Sequence, residues 1–237
     1  KVARITTAGA VSEFPTSGNP TGIVAGPDRN VWFLQSLAGE IGRVSASGAI
    51  SEFPLPRRGF AYGIAAGPDG NVWFTDGARR AIGRVTPAGA VKEFPLPNPL
   101  SSPQGIATGP DGNLWFADRG TNSIGRMSTR GAVREFPLLT AAAGPHEIIL
   151  AGNGALWFTD SAANKIGELV PARARCLVPR LKGRTLAQAK RLLSRARCAL
   201  GKLSVPSHHA GPLVVRSQGP SPHTSLPAGG KVSVRLG

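Results

Sequence analysis

From residue 1 to about 170 the apolar residues fall in short runs, each bounded by Gly, Pro, Asp or Asn, and the runs repeat. PTGIVAGPDRNVWFLQ (20–35), AYGIAAGPDGNVWFTD (61–76), PQGIATGPDGNLWFAD (103–118) and GPHEIILAGNGALWFTD (144–160) share one skeleton. Trp32, Trp73, Trp115 and Trp157 stand 41, 42 and 42 residues apart, and Ile41, Ile82, Ile124 and Ile166 follow at the same intervals. A period in the low forties is the length of a four-stranded propeller blade. Each unit reads as four short strands: the GIAAGP run, NVWFTD, AIGRVTP and AVKEFPLP. Asp69-Gly70, Asp111-Gly112 and Pro87-Ala88-Gly89 provide the turns between them. The expected fold is an all-β propeller of four-stranded blades over residues 1–170.

Three repeats are complete (20–54, 62–95 and 104–137), and the fourth stops after its third strand at IGELVP. The opening VARITTAGAVSEFP reads as the third and fourth strands of another blade. These counts predict part of a six- or seven-bladed ring whose upstream blades are cut off. Lys1 has no charged-then-apolar leader behind it, so any signal peptide is expected to be removed or to lie outside the chain.

The tryptophans have two readings, blade-to-blade packing and carbohydrate stacking; an identical place in every repeat is what packing requires. Asp76, Asp118 and Asp160 invite a metal reading, but Gln35 breaks the ring of ligands, which favours carboxylates that tie down a turn. One slot varies freely. Two residues before the shared isoleucine stand Thr21, Tyr62, Gln104 and His146, and only the last copy follows that slot with a carboxylate, Glu147. On an extended strand His146 and Glu147 point to opposite faces, so they cooperate only across a bulge.

The combination of GPDG, WFT and IGR at this period resembles the streptogramin B (virginiamycin B) lyase family. The resemblance implies a seven-bladed propeller that opens a lactone by elimination, with Mg²⁺ near the central channel, a histidine as base and assisting carboxylates. It also implies that Thr21, Tyr62, Gln104 and His146 sit at the channel mouth, with His146 the candidate base. The family's glutamate two residues before that histidine is Gly144 here, and its second channel histidine and Mg²⁺-holding glutamate have no match. An unidentified small molecule is the expected ligand.

Beyond residue 170 the chemistry changes. Residues 171–237 carry 13 Lys/Arg and no acid, whereas residues 1–170 carry 15 Lys/Arg against all 13 Asp/Glu. Such a basic segment suits nucleic acid, an anionic membrane surface, an anionic extracellular polymer, or a solvated surface with no partner. The absence of Phe, Trp and Tyr from it argues against nucleic-acid stacking. No apolar run reaches 18 residues, so no membrane span is expected. Thr185 and Gln188 make a capping box ahead of a helix whose apolar face is Leu186, Ala189, Leu193 and Ala196. A Val-Pro extended lead-in precedes it, and strands are expected at 213–218 and 231–236, giving one helix on a three-stranded sheet. Cys176 and Cys198 flank the helix; two cysteines in one small basic domain argue for a disulfide and an oxidising compartment, with buried free thiols the alternative. Adjacent His208 and His209 read as a solvated pair.

VPRLKGRTLAQAKRLLSRARCALG followed by VVRSQGPSPHTSLPAGGKVSVRLG resembles a PASTA domain nearly end to end. That resemblance implies a small α+β domain over 171–237 and attachment to peptidoglycan or an anionic wall polymer. The whole then reads as a secreted or wall-associated bacterial binding protein, with the Mg²⁺-dependent lyase as the alternative.

Overall fold

The computed structural model describes residues 1–56, 60–171, 175–196, 198–206, 212–227 and 230–237. The chain divides into two compact units, Lys1–Pro171 and Ala172–Gly237.

In the first unit β1 (Val2–Ile5) and β2 (Val11–Phe14) form a hairpin. Three four-stranded antiparallel meanders follow. The first holds β3 (Ile23–Ala25), β4 (Val31–Gln35), β5 (Glu40–Val44) and β6 (Ile50–Pro54). The second holds β7 (Ala61–Ala66), β8 (Val72–Asp76), β9 (Ala81–Val85) and β10 (Val91–Pro95). The third holds β11 (Pro103–Thr108), β12 (Leu114–Asp118), β13 (Ser123–Met127) and β14 (Val133–Pro137). The last sheet has three strands, β15 (Pro145–Leu150), β16 (Leu156–Asp160) and β17 (Lys165–Leu169). Half a repeat, three repeats and three quarters of a repeat are what the sequence period predicts, and the sheets match propeller blades. They do not close into a ring among the described residues.

Each sheet is apolar on both faces, and the joints between sheets are the core. Trp32, Leu34 and Ile41 on one face of the first meander pack on Val72, Phe74 and Val85 of the second. Trp73 and Ile82 then pack on Leu114, Phe116 and Met127, and Trp115, Ala117 and Ile124 pack on Ile148, Leu156 and Phe158. Thus each four-stranded meander presents a tryptophan face to the sheet that follows it and a phenylalanine face to the sheet before it. The phenylalanine ring needs glycine on the neighbouring strand: a Cβ at Gly125 would lie 2.1 Å from Phe116.

Trp32, Trp73 and Trp115 are also held within their own sheets. Asp69 accepts from Trp73 Nε1 at 2.9 Å and from Asn71 Nδ2 at 2.9 Å. Phe94 stacks on Trp73 at 5.4 Å, and the Arg84 guanidinium lies over the indole at 5.7 Å. Asp28 with Trp32, Arg43 and Phe53, and Asp111 with Trp115, Arg126 and Phe136, repeat the arrangement. Burial acts to raise the Asp69 and Asp111 carboxyls, and hydrogen bonds from tryptophan and asparagine outweigh it, so both sit below the usual carboxylate range. The turn between first and second strands takes left-handed φ at Gly70 (+78°) and Gly112 (+71°); the first repeat puts Arg29 there, at +65°.

The second unit starts with β18 (Arg175–Leu177), then α1 (Leu186–Arg195), β19 (Ala199–Ser204), β20 (Val215–Gly219), β21 (Ser225–Pro227) and β22 (Lys231–Leu236). The capping box is present: Thr185 Oγ1 accepts from Gln188 N, and Gln188 Oε1 accepts from Thr185 N. Ala189 and Leu193 bury against Val178, Leu181, Val215, Val232, Val234 and Leu236. A three-stranded sheet forms in the order β19-β22-β20, but its third strand differs from the expected one. The lead-in at 175–177 pairs with β21 in a separate two-stranded sheet, and β19, directly after the helix, runs parallel to β22. Ala-Leu-Gly-Lys-Leu-Ser alternates too weakly to declare itself, and the pair carries a register shift between Leu200 and Leu203. Cys198 is buried beside this core. The side chain of Cys176, and hence the expected pairing, lies outside the described residues, as do His208 and His209. Among the described residues no helix is long and apolar enough to cross a membrane.

Candidate functional site

The first strands of successive sheets lie side by side, β3 against β7, β7 against β11 and β11 against β15. Glycine makes this possible. A Cβ on Gly63 would lie 2.6 Å from Gln104 O, and one on Gly105 would lie 2.8 Å from His146 O and from Glu147 Cα. The glycine of the shared Gly-Ile pair is therefore a packing requirement between neighbouring strands. It sets Tyr62, Gln104 and His146 on the first strands of successive sheets, with Thr21 just ahead of β3.

Tyr62 is half exposed, and its ring lies against Gly77. His146 is partly exposed. Thr21 precedes β3, is exposed, and puts Oγ1 3.1 Å from Ser36 Oγ. Gln104 differs: it is 6% exposed, and its Nε2 donates to Ser102 O at 3.3 Å and Ser102 Oγ at 3.2 Å. Ser36 and Ser102 belong to this row and were not singled out by the sequence, since serine at a turn carries no distinguishing signal.

The pairing register shifts between Pro145 and Ile148, so β15 carries the irregularity that His146 and Glu147 need to cooperate. His146 Nδ1 stands 3.7 Å from Glu147 Oε1. Shifts at the same place in β7 and β11 mark it as a feature of the repeat. Thr75 Oγ1 accepts the N–H of Gly63 at 2.9 Å and donates to Gln104 O, tying two sheets together. Thr159 Oγ1 accepts from Glu147 N at 3.0 Å in the same way.

Asp118 Oδ1 accepts from the backbone N–H groups of Ser102, Gly120 and Thr121, and an Asp76 oxygen accepts from Arg79 N. This is the geometry of turn anchors. Burial holds the Asp76 and Asp160 carboxyls above their ordinary range. Among the described residues of this row of first strands, Glu147 is the carboxylate. Among the described residues no three His, Cys, Asp or Glu side chains converge on a point. These residues by themselves do not form a Mg²⁺ cage.

Face-joined antiparallel sheets with their first strands side by side define the first unit as a run of β-propeller blades. The sequence model of the Virginiamycin B lyase family matches residues 1–176, and the chain belongs to that family. The crystal structure of virginiamycin B lyase from Staphylococcus aureus is 40% identical, with a TM-score of 0.68 over 70% of this chain and 58% of that one. A catalytically inactive histidine-to-alanine variant of that lyase with quinupristin also matches at 40% identity and TM-score 0.68, over 72% of this chain and 59% of that one. Virginiamycin B lyase of Nocardia farcinica (strain IFM 10152) is 43% identical over 60 residues, 24% of this chain and 21% of that protein. The chain thus spans well under two thirds of the length of these relatives.

Proposed function

We propose that residues 1–171 present a small-molecule-binding face built from the first strands of consecutive blades, and that residues 172–237 attach it to the bacterial cell wall. The observation that carries the binding face is the position of Tyr62, Gln104 and His146 on the first strands of three successive sheets, with Thr21 just ahead of the first strand of the preceding sheet and with Tyr62 and His146 open to solvent. A phenol, an imidazole and serine hydroxyls beside an apolar joint suit a cyclic depsipeptide or a similar uncharged ring compound. Equilibrium dialysis against a streptogramin B tests it: Tyr62→Ala and His146→Ala weaken uptake, and uptake unaffected by both overturns it. The remaining blades of a larger six- or seven-bladed ring complete the face.

For residues 172–237 the reading is a PASTA domain, cross-linked by Cys176 and Cys198, in an extracellular or wall-associated protein. Its support is the family-like sequence, the capped helix and the charge of 13 cationic residues without an acid. Gln218 of the SQGP run has a structural place here: it accepts from Leu181 N at 2.7 Å and donates to Pro179 O at 2.9 Å. The partner is peptidoglycan or an anionic wall polymer, bound through salt-sensitive contacts. Pelleting with isolated walls that is lost on deletion of 172–237 and on adding salt supports this; pelleting unchanged by the deletion overturns it.

The second reading is an enzyme, favoured by the 40% identity to the S. aureus lyase and by the His146–Glu147 contact. His146, its Nδ1 facing Glu147, takes the proton α to a carbonyl at Nε2. The neighbouring C–O bond of the cyclic ester breaks as a C=C bond forms, and the carboxylate leaves. Mg²⁺, held by residues elsewhere in a complete ring, would supply charge stabilisation. Mass spectrometry of a streptogramin B incubated with the protein then shows a ring-opened product of unchanged mass, absent with His146→Ala.

A further inference from the structure

The three-stranded sheet of the second unit has one face on the helix and one face open. Val232, Val234 and Leu236 of β22 enter the core with Ala189 and Leu193, so strand alternation turns Lys231, Ser233 and Arg235 the other way. The register carries this open face across the sheet. Ser204 of β19 and Ser217 of β20 both pair with Arg235, and Gly219 pairs with Ser233. Arg216 joins them from the irregular stretch of β20, since a Cβ on Gly237 would lie 3.0 Å from Arg216 Cγ.

Two adjoining hollows lie on this face. Ser204, Ser217 and Arg235 line both; Lys202 and Ser233 complete one of them and Arg216 the other. Ser233 Oγ accepts from Lys202 N at 3.1 Å, which leaves its hydrogen to donate outward. The charges are uncompensated: residues 171–237 contain no Asp or Glu, and among the described residues nothing accepts from the side chains of Lys202, Arg216 or Arg235. Cations and hydroxyl donors side by side suit a tetrahedral oxyanion, whose oxygens take a guanidinium fork and hydroxyls together. One exposed ion pair is weak, so affinity requires a ligand that repeats the anion and engages several cations at once. Residues 171–237 have no aromatic side chain to stack a base. The complementary partner is therefore a chain that carries its charge in a backbone without bases.

We propose that the open face of the β19-β22-β20 sheet binds a phosphodiester-linked polyol polymer, with Arg235 and its two flanking serines at the centre and Lys202 and Arg216 in the hollows to either side. The inference rests on the reading of residues 172–237 as a wall-attachment unit, and it assigns that unit a surface and an anion.

Fluorescence anisotropy of labelled poly(glycerol phosphate) with the 237-residue chain tests this. Arg216→Gln with Arg235→Gln weakens binding about tenfold and lowers its salt dependence, whereas Lys190→Gln with Arg191→Gln, which removes the same charge from the exposed helix surface, changes it by less than about twofold. Ser204→Ala with Ser217→Ala weakens it about threefold at unchanged charge. Absent binding, or equal losses in the two arginine-containing pairs, overturns the proposal. So does binding of polygalacturonate or single-stranded DNA as tight as or tighter than that of the phosphodiester polymer. Isolated walls keep the two readings apart: pelleting that survives both removal of the phosphodiester polymer from the walls and Arg216→Gln with Arg235→Gln overturns this site and leaves wall attachment standing, and a chain that binds the polymer but no wall does the reverse.

Discussion

The third and last blades carry nearly the same letters and opposite surroundings. Trp115 is 3% exposed and Ile124 is 0%, whereas Trp157 is 36% and Ile166 is 70% exposed at the equivalent positions. Both tryptophans sit on the second strand of an antiparallel sheet with the same register to the third. What differs is the neighbour: the third blade's tryptophan face meets Ile148, Leu156 and Phe158, and no further sheet among the described residues of the first unit follows the last blade. The fastenings differ too, since Asn153 and Glu168 replace the Asp and Arg of the other repeats. A blade's motif residue is therefore worth what the next blade makes of it.

Equilibrium unfolding of paired variants would break this comparison if it were wrong. Trp115→Ala is expected to cost about 3–5 kcal/mol, as for large core truncations, and Trp157→Ala about 1 kcal/mol; equal losses would refute a neighbour-supplied core. Gly105→Ala forces a Cβ into the backbone at Glu147 and should cost about 1–3 kcal/mol. Glu147→Ala, at the equivalent place of the last blade, should stay within about 0.5 kcal/mol.

Titration sharpens the contrast. The Asp111 pKa is lowered on folding, so its stabilisation is present above the unfolded value and is lost as pH falls through the folded one. Asp111→Asn should cost about 1–2 kcal/mol near neutral pH, with the gap to wild type closing in acid. The Asp160 pKa is raised by burial, so its favourable contribution exists below the unfolded value and is lost as pH rises through the folded one. Asp160→Asn should be the smallest effect, a gain below about 1 kcal/mol at neutral pH that vanishes in acid. Matching pH profiles for the two variants would contradict the assigned environments.

Much of this was legible because repetition makes each residue vote several times. The Asp of GPDG, the Trp, the Arg of IGR and the Phe of EFP recur together, and they meet around one indole. Thr185 and Gln188 announced the helix start through local chemistry alone. Other features depend on partners distant in the chain. The bulge that joins His146 to Glu147 arises where neighbouring first strands touch at glycine, and Gln104 turns inward because Ser102 offers it an oxygen. The exposure of Trp157 is invisible in its own repeat, whose letters promise burial.

Acrylamide quenching of tryptophan fluorescence tests the neighbour-supplied core most directly. The account predicts two classes of indole, a shielded majority and one accessible fraction that disappears in Trp157→Phe and persists in Trp115→Phe. A single uniformly shielded class, or an accessible fraction untouched by Trp157→Phe, would contradict it.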